Sequence, residues 1–339
     1  MSRFRILTLL ATLFALATAF AACGSSSSDP QTVLEEATLQ GIESADVQLT
    51  LGMDVRGSEG GHLDVEVSGP FQSESEAELP ELDMTASAKG KLGGEKVDFE
   101  GGLTLLGDRA FVAYQGSEYE VDTSTFSFVR ALMKQRTGSA GKSGEVTACQ
   151  EAIAEEARPA DLIDNLKGGG SVDVGGTSTT EVSGDLNVSG ALDAVIAMRE
   201  NPACRAQLSA TGALPSRAKL EKSKGEVEGA VKAAHVAFYV GDDHIVRRTT
   251  FQMTIEPKKG GRSAKARSVK LDGNLTLTGV NEEQTIAAPA SSKPLNALFA
   301  KLGINPIELL GLLQGEGGLS GPGGIERLLE GIRRSGGFQ

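Results

Sequence analysis

Residues 44–56 read SADVQLTLGMDVR, and this stretch decides the fold class. Its apolar side chains stand at every second position: Val47, Leu49, Leu51, Met53 and Val55. Successive side chains of a β-strand point to opposite faces of a sheet, so this period of two predicts a strand with one apolar and one polar face. Strands of this kind are typical of antiparallel sheets.

The same alternation returns along most of the chain. After the turn at 58–61 it continues in Leu63, Val65 and Val67, which predicts a β-hairpin. Further alternating runs lie at 82–88, 97–105, 111–114, 117–121, 171–188, 236–255 and 267–280. We therefore expect about eleven strands. One face of so large a sheet is apolar and needs helices to cover it, so the predicted class is α+β.

Several stretches between the strands have helical spacing instead. Asp122 and Thr123 are good helix caps, and three apolar residues follow at i, i+3 and i+7: Phe126, Val129 and Met133. We predict further helices at 30–42, 146–157, 159–166, 192–201 and, charged and exposed, 216–234. Beyond Pro289 the apolar spacing predicts short helices that a glycine-rich stretch at 315–324 interrupts.

The first 24 residues have the composition of an export signal. Arg3 and Arg5 precede an apolar run at 6–20, and small residues precede Cys23. The run is shorter than the about 20 residues that a membrane span needs. Residues 20–23, FAAC, resemble the lipobox of bacterial lipoproteins, with Phe20 where that motif usually has Leu.

We expect a lipoprotein signal peptide at 1–22 and an acyl anchor, palmitate among its chains, on Cys23. Residues 23–29 are rich in serine and predict a flexible tether. The protein would then be extracytoplasmic and lipid-anchored to the bacterial cell membrane. An ordinary secretory peptide and an uncleaved membrane anchor are the alternatives.

The chain is acidic, with 45 Asp and Glu residues against 33 Lys and Arg residues and a net charge of −12. Proteins that bind nucleic acid neutralise phosphates with an excess of basic residues. We therefore expect no nucleic-acid partner.

Cysteine content predicts one disulfide bond. With Cys23 acylated, Cys149 and Cys204 remain as an even pair in an oxidising compartment. Closing a loop of about 55 residues contributes ~4 kcal/mol on the chain-entropy description. Two reduced, buried thiols are the alternative.

Catalytic and metal-binding patterns are not evident in the sequence. The histidines lie outside any metal or nucleophile motif: His62, His235 and His244. Residues 241–244, GDDH, are explained by a polar hairpin turn without a bound cation. Residues 141–143, GKS, resemble the end of a phosphate-binding loop. That loop requires a glycine five positions before Gly141, and this chain has Arg136 there. We predict no enzymatic activity, no cofactor and no metal, with carboxylates that meet only in three dimensions as the alternative.

Taken together, these features resemble the mycobacterial LppX/LprAFG lipoproteins, which share a half-barrel with the LolA-like lipoprotein carriers. The resemblance rests on Cys23 with its serine tether, the leading helix, the strand that opens at 44–49 and the turn with a short strand at 107–112. It covers residues 30–288 and implies a strongly curved antiparallel sheet, a half-barrel, with helices packed on its concave face. Residues 289–339 would form a helical, glycine-rich extension.

The resemblance also implies an apolar cavity for lipid or glycolipid tails. Phe126, Val129 and Met133 would line it together with residues of the alternating apolar faces: Leu49, Leu51, Met53, Leu63, Val65, Val67, Met84, Phe99, Leu103, Phe251, Met253 and Leu275. Composition alone leaves a filled core and an open cavity as equal alternatives.

Two functions are consistent with this sequence. The first is a cell-envelope lipoprotein that binds lipid or glycolipid acyl chains for transport or presentation. The second is a non-transporting scaffold or regulatory lipoprotein with a filled core, which acts on a protein partner.

Overall fold

The computed structural model describes residues 29–58, 60–73, 79–128, 130–131, 159–202, 204, 217–257 and 266–303. In these ranges, strands of one sheet account for most of the chain: β1 (Ser44–Gly57), β2 (Gly61–Gln72), β3 (Glu81–Leu92), β4 (Glu95–Leu105), β5 (Ala110–Tyr114), β6 (Ser117–Val121), β7 (Ile163–Val174), β8 (Thr177–Leu186), β9 (Val231–Gly241), β10 (Val246–Ile255), β11 (Ala266–Thr278) and β12 (Lys293–Pro294).

The sheet has 12 strands in the order β12-β6-β5-β4-β3-β2-β1-β11-β10-β9-β8-β7. All neighbouring strands are antiparallel except β12, which runs parallel to β6. β1 lies in the interior of the sheet, between β2 and β11. The sheet is curved and does not close, which confirms the predicted α+β half-barrel.

Five helices are named here: α1 (Pro30–Glu36), α2 (Pro159–Leu162), α3 (Val188–Glu200), α4 (Arg217–Ala230) and α5 (Leu295–Leu302). Residues 123–128 and 130–131 are also helical. α1 begins where the Asp29 carboxylate accepts a hydrogen bond from the Thr32 amide at 3.2 Å, and α3 begins where the Asn187 side chain accepts one from the Gly190 amide at 2.8 Å. No helix in these ranges has the length and apolarity that crossing a bilayer requires.

The cross-strand register places the alternating apolar residues on one face of the sheet. Leu49 of β1 lies opposite Val67 of β2 and Leu275 of β11. Directly opposed residues of an antiparallel pair share a face, so the register carries this face from β1 across the sheet. We call it the apolar face, and the opposite one, which bears Gln48, Ser68 and their neighbours, the polar face.

Helices cover the apolar face at the β8–β10 end. Leu34 of α1 is fully buried in a cluster with Val182, Val236 and Phe238, and Met253 of β10 packs in a second cluster with Ile255. α3 contacts α4, and α4 contacts β9. Burying an apolar side chain of this size contributes about 1.5–3 kcal/mol, so this end of the sheet holds the main described core.

The segment after residue 289 docks at the other end of the sheet. β12 pairs with Tyr119 and Glu120 of β6, and α5 contacts both strands. Leu298 of α5 is 5% exposed, and α5 ends at Gly303, whose φ of 62° is the left-handed cap conformation that favours glycine. The predicted helix at this position is confirmed, whereas the division of the chain at residue 288 stays a prediction.

Several predicted element boundaries were wrong. The charged helix predicted at 216–234 ends at Ala230, because β9 begins at Val231. The leading helix ends at Glu36 and not at Ile42, because the Thr38 amide donates to the His244 carbonyl and the Thr38 carbonyl accepts from the Val246 amide. The helix predicted at 159–166 gives way to β7 at Ile163. The observed 12 strands agree with the about eleven that the alternation predicted, and the additional one is the two-residue β12.

Candidate functional site

The strand residues that were predicted to line a cavity all lie on the apolar face. In β1 and β2, Leu51 faces Val65 and Met53 faces Leu63. In β3 and β4, Met84 faces Leu103 and Ala88 faces Phe99. The register continues through β11 to Phe251 and Met253 of β10. That these residues line a lipid cavity stays a prediction.

The apolar face is buried at its helix-covered end and partly exposed in the middle. Val236, Phe238 and Val240 of β9 are 7%, 2% and 2% exposed. By contrast, the apolar residues of β1 and β2 on this face between Val47 and Val67 are half-buried, and Leu103 of β4 is 40% exposed. The described structure therefore leaves a broad apolar floor over β1–β4 that its helices do not bury.

Aromatic rings lie over glycines on the apolar face, both within the floor and beside it. A Cβ atom on Gly273 of β11 would come within 2.1 Å of the Phe251 ring, and one on Gly101 of β4 would come within 2.9 Å of the Phe99 ring. Phe99 also approaches Tyr114 of β5, with ring centroids 6.4 Å apart. Because glycine has no side chain, the rings can lie flat against the strands, and the apolar face stays continuous.

Two lysines close the β5–β6 end of the apolar face. Lys293 Nζ lies 5.8 Å from the ring centroid of Tyr119, and Lys301 Nζ lies 5.2 Å from that of Tyr114. Lys301 also donates to the Gln115 side chain at 3.2 Å. Tyr119 is 3% exposed. We call α5 and β12 the rim of the apolar face: their lysine ammonium groups lie over tyrosine rings that belong to the face.

A charged cluster lies where α1 meets the β9–β10 turn. His244, with a φ of 62°, places its Nδ1 atom 3.3 Å from the Glu36 carboxylate. Arg247 is 7% exposed and donates through Nη2 to Asp243 at 2.7 Å, while its buried Nη1 has no hydrogen-bond partner among the described residues. The turn that the sequence predicted at 241–244 is confirmed, and its His244 side chain contacts Glu36 of α1.

Exposed carboxylates elsewhere are paired with neighbouring polar groups. At the β1–β2 hairpin, the hydrogen bonds that the His62 ring donates to the carboxylates of Asp64 and Asp54 raise the pKa of His62, with Asp64 the larger cause. On β6, the hydrogen bond from Arg109 is the main cause that lowers the pKa of Glu120. In the described part of the chain, His, Cys, Asp and Glu form no group of three or more that is arranged to hold a metal ion.

Several predicted site residues lie outside the described ranges. They are Cys23, Cys149, Val129 and Met133. Phe126 is 5% exposed, so it is a buried residue of the helical segment that follows β6. Cys204 is fully buried and disulfide-bonded, and the pairing with Cys149 stays a prediction.

The predicted cavity lining left out other members of the apolar face. Ala86 and Ala88 of β3, Val112 of β5 and Tyr119 of β6 share the face through direct cross-strand pairs. The signal was present, because each belongs to an alternating run, but two of them are small and two lie on short strands.

Comparison with known proteins gives likenesses of fold. No protein-family model and no curated protein matches the chain. The chain is similar to LprF from Mycobacterium bovis. That match has 13% identity, covers 79% of this chain and 100% of that one, and has a TM-score of 0.34. LppX, a lipoprotein from Mycobacterium tuberculosis, matches at 12% identity over 73% and 91% of the two chains, with a TM-score of 0.29.

A DUF1329 family protein from Desulfovibrio piger matches at 7% identity over 74% of this chain and 91% of that one, with a TM-score of 0.17. LprF and LppX are members of the lipoprotein family that the sequence resembles. At TM-scores this low, the likeness gives no evidence about the function of this chain.

Proposed function

We propose that the protein is a cell-envelope lipoprotein that binds lipid or glycolipid acyl chains on its apolar face, for transport or presentation. The observation that carries the proposal is the partly exposed apolar floor over β1–β4, between one end covered by α1, α3 and α4 and another covered by α5. Large contiguous apolar patches on soluble proteins commonly mark binding sites.

An acyl chain matches the chemistry of the floor. The central strands offer aliphatic and aromatic side chains such as Leu49, Val65 and Phe99, and the lysines stand at the rim. Each methylene removed from water contributes about 0.8 kcal/mol, so ten methylenes contribute ~8 kcal/mol. Association costs an estimated ~4–15 kcal/mol of lost freedom, so ten methylenes offset much of that cost, and longer or additional acyl chains bind more firmly.

The N-terminal sequence supports an envelope location. An acylated Cys23 would anchor the protein to the membrane, and the tether at 23–29 would let the sheet reach lipids above it. Acyl chains are held without covalent chemistry in this proposal, so the protein is a carrier and not an enzyme. The membrane anchor and the lipid ligand are its proposed partners, and no nucleic acid is involved.

Native mass spectrometry tests this proposal. The full-length protein, purified from a lipoprotein-processing bacterial host, is sprayed before and after extraction with organic solvent. We expect non-covalent lipid adducts of defined stoichiometry that disappear on extraction and return when lipids are offered. A bare mass in all three conditions would contradict the proposal.

A filled half-barrel that scaffolds a protein partner is the second candidate. The docking of α5 on β6 favours it, because the chain covers part of its own apolar face there. This candidate predicts no lipid uptake and a stable protein partner after cross-linking in the envelope. Recovery of lipid adducts without a protein partner would exclude it.

A further inference from the structure

The polar face carries a groove of its own over β11, β1, β2 and β3. This groove has a volume of about 350 Å³, and its lining consists mainly of carboxylate, amide and hydroxyl groups. Gln48 lies opposite Ser68 and Thr276, and Ser68 lies opposite Thr85, which places the lining on the face that points away from the apolar floor. Small-molecule sites span about 300–1,000 Å³, so this groove suits a small ligand.

Contacts between neighbouring strands fix the base of this polar groove. The Thr104 hydroxyl donates to the Asp83 carboxylate at 2.8 Å, and the Ser68 and Thr85 hydroxyls lie 3.2 Å apart. Gly69 has a φ of 140°, and a Cβ atom there would come within 2.0 Å of the Asp83 carbonyl oxygen. The glycine therefore lets β2 approach β3 closely, on strands of 12 residues each.

The lining is rich in acceptors, with two carboxylates and no lysine or arginine among the described residues that form it. One cation stands at its edge, where Arg248 of β10 donates through Nε to the Thr276 hydroxyl at 3.3 Å, and the two carboxylates outnumber it. Asp46 and Gln48 are exposed on β1, where a ligand can reach them. Two carboxylates disfavour phosphates and other anions, and the polar lining disfavours an apolar ligand. The groove therefore fits an uncharged molecule that presents several hydroxyl donors, because a carboxylate accepts hydrogen bonds through both oxygens.

We propose that this groove binds a short neutral saccharide, with Asp46 and Gln48 hydrogen-bonding its hydroxyls and the fixed Asp83 completing the acceptor set. The site is independent of acyl-chain binding, since it lies on the opposite face of the sheet. A protein of the envelope would then hold a lipid on one face and a glycan on the other.

Saturation-transfer difference NMR tests the site with the full-length protein in deuterated dodecylphosphocholine. The probes are D-glucose, D-galactose and N-acetyl-D-glucosamine, each titrated to tens of millimolar. Hydrogen bonds without an aromatic platform give weak binding, so we expect at least one sugar to saturate with a Kd of about 1–10 mM. Absence of saturation transfer from all three sugars would overturn the proposal.

Variants assign the signal to the groove. Asp46→Asn keeps the shape of an exposed side chain, and Gln48→Leu removes both polar groups at a neighbouring position. We expect either to weaken sugar binding about fivefold or more. Glu100→Gln, at an exposed position of β4 outside the groove, is the matched control and is expected to bind as the wild type does. Equal weakening by Glu100→Gln, or sugar binding that neither groove variant weakens, would contradict a saccharide site in the groove.

Discussion

At the scale of single residues, glycines let aromatic rings pack flat on the apolar face. Phe251 of β10 lies over Gly273 of β11, and the two positions are directly paired. The alternation of the sequence identified Phe251, but it gave no reason to connect it with a glycine in another run. Such a contact depends on which strands become neighbours, and side-chain spacing within one strand does not contain that information.

A Gly273→Ala substitution is expected to lower the free energy of unfolding by about 1–3 kcal/mol, because the new methyl group would displace the Phe251 ring from a packed position. Gly225→Ala in α4 is the control, since an added Cβ there meets no atom within 4 Å. That change is expected to raise the free energy of unfolding by about 0.5–1 kcal/mol, because alanine favours helix. Urea denaturation measures both, and a Gly273→Ala protein as stable as the wild type would refute the packing role.

Single elements were predicted best where a local cap or a plain alternation defines them. The cap at Asp122 is confirmed: its carboxylate accepts hydrogen bonds from the Thr125 amide at 2.9 Å and from the Ser124 and Thr125 hydroxyls. β7 was misplaced because Asn165 has a φ of 54° and the register shifts twice between Asp164 and Ser171. Irregularities of this kind break the period of two, and the strand becomes unrecognisable in the sequence.

The cap at Asp122 makes a prediction about pH. Hydrogen bonds from the Ser124 hydroxyl, then from Thr125, lower the pKa of Asp122 from 3.8 to about 2. A lowered folded-state pKa means that the cap stabilises the protein fully above pH 3.8 and that this contribution is lost as the pH falls through about 2. Carboxyl-detected NMR titration should find this midpoint near 2.

Asp122→Asn supplies the comparison, because asparagine also caps helices but does not titrate. Thermal melting between pH 5 and pH 1.5 should show the wild type losing its advantage over Asp122→Asn only below pH 3.8. An Asp122 midpoint at the ordinary value, with parallel melting curves for the two proteins, would contradict the hydrogen-bonded cap.

For the whole molecule, the sequence predicted the class of the fold and one face of the sheet, but not which strands become neighbours. Alternation identifies strands such as β1 and β2 because each run carries its own period. The pairing of β1 with β11 joins residues such as Leu49 and Leu275, and the pairing of β12 with β6 joins Lys293 and Tyr119. These contacts are long-range and follow from the competition of all strands for neighbours, which no local pattern records.

The same limit applies to the candidate site. The apolar residues were found because they share a strand period, whereas the degree to which helices bury them is a property of the assembled sheet. Val236 and Val65 are both alternating valines in the sequence, yet α1 packs on the cluster that contains the first, and the second is half-buried on the floor. This difference distinguishes a core from a binding surface.

Contact between an acyl chain and the apolar floor is the most direct test of the account. The protein has no tryptophan, so Val65→Trp and Glu66→Trp each introduce a single fluorescent reporter, at adjacent positions of β2 that face opposite sides of the sheet. Brominated stearic acid quenches tryptophan on contact. We expect brominated stearic acid to quench the fluorescence of the Val65→Trp protein saturably and to leave the fluorescence of the Glu66→Trp protein unchanged. Equal quenching of the two proteins, or no quenching of either, would contradict it.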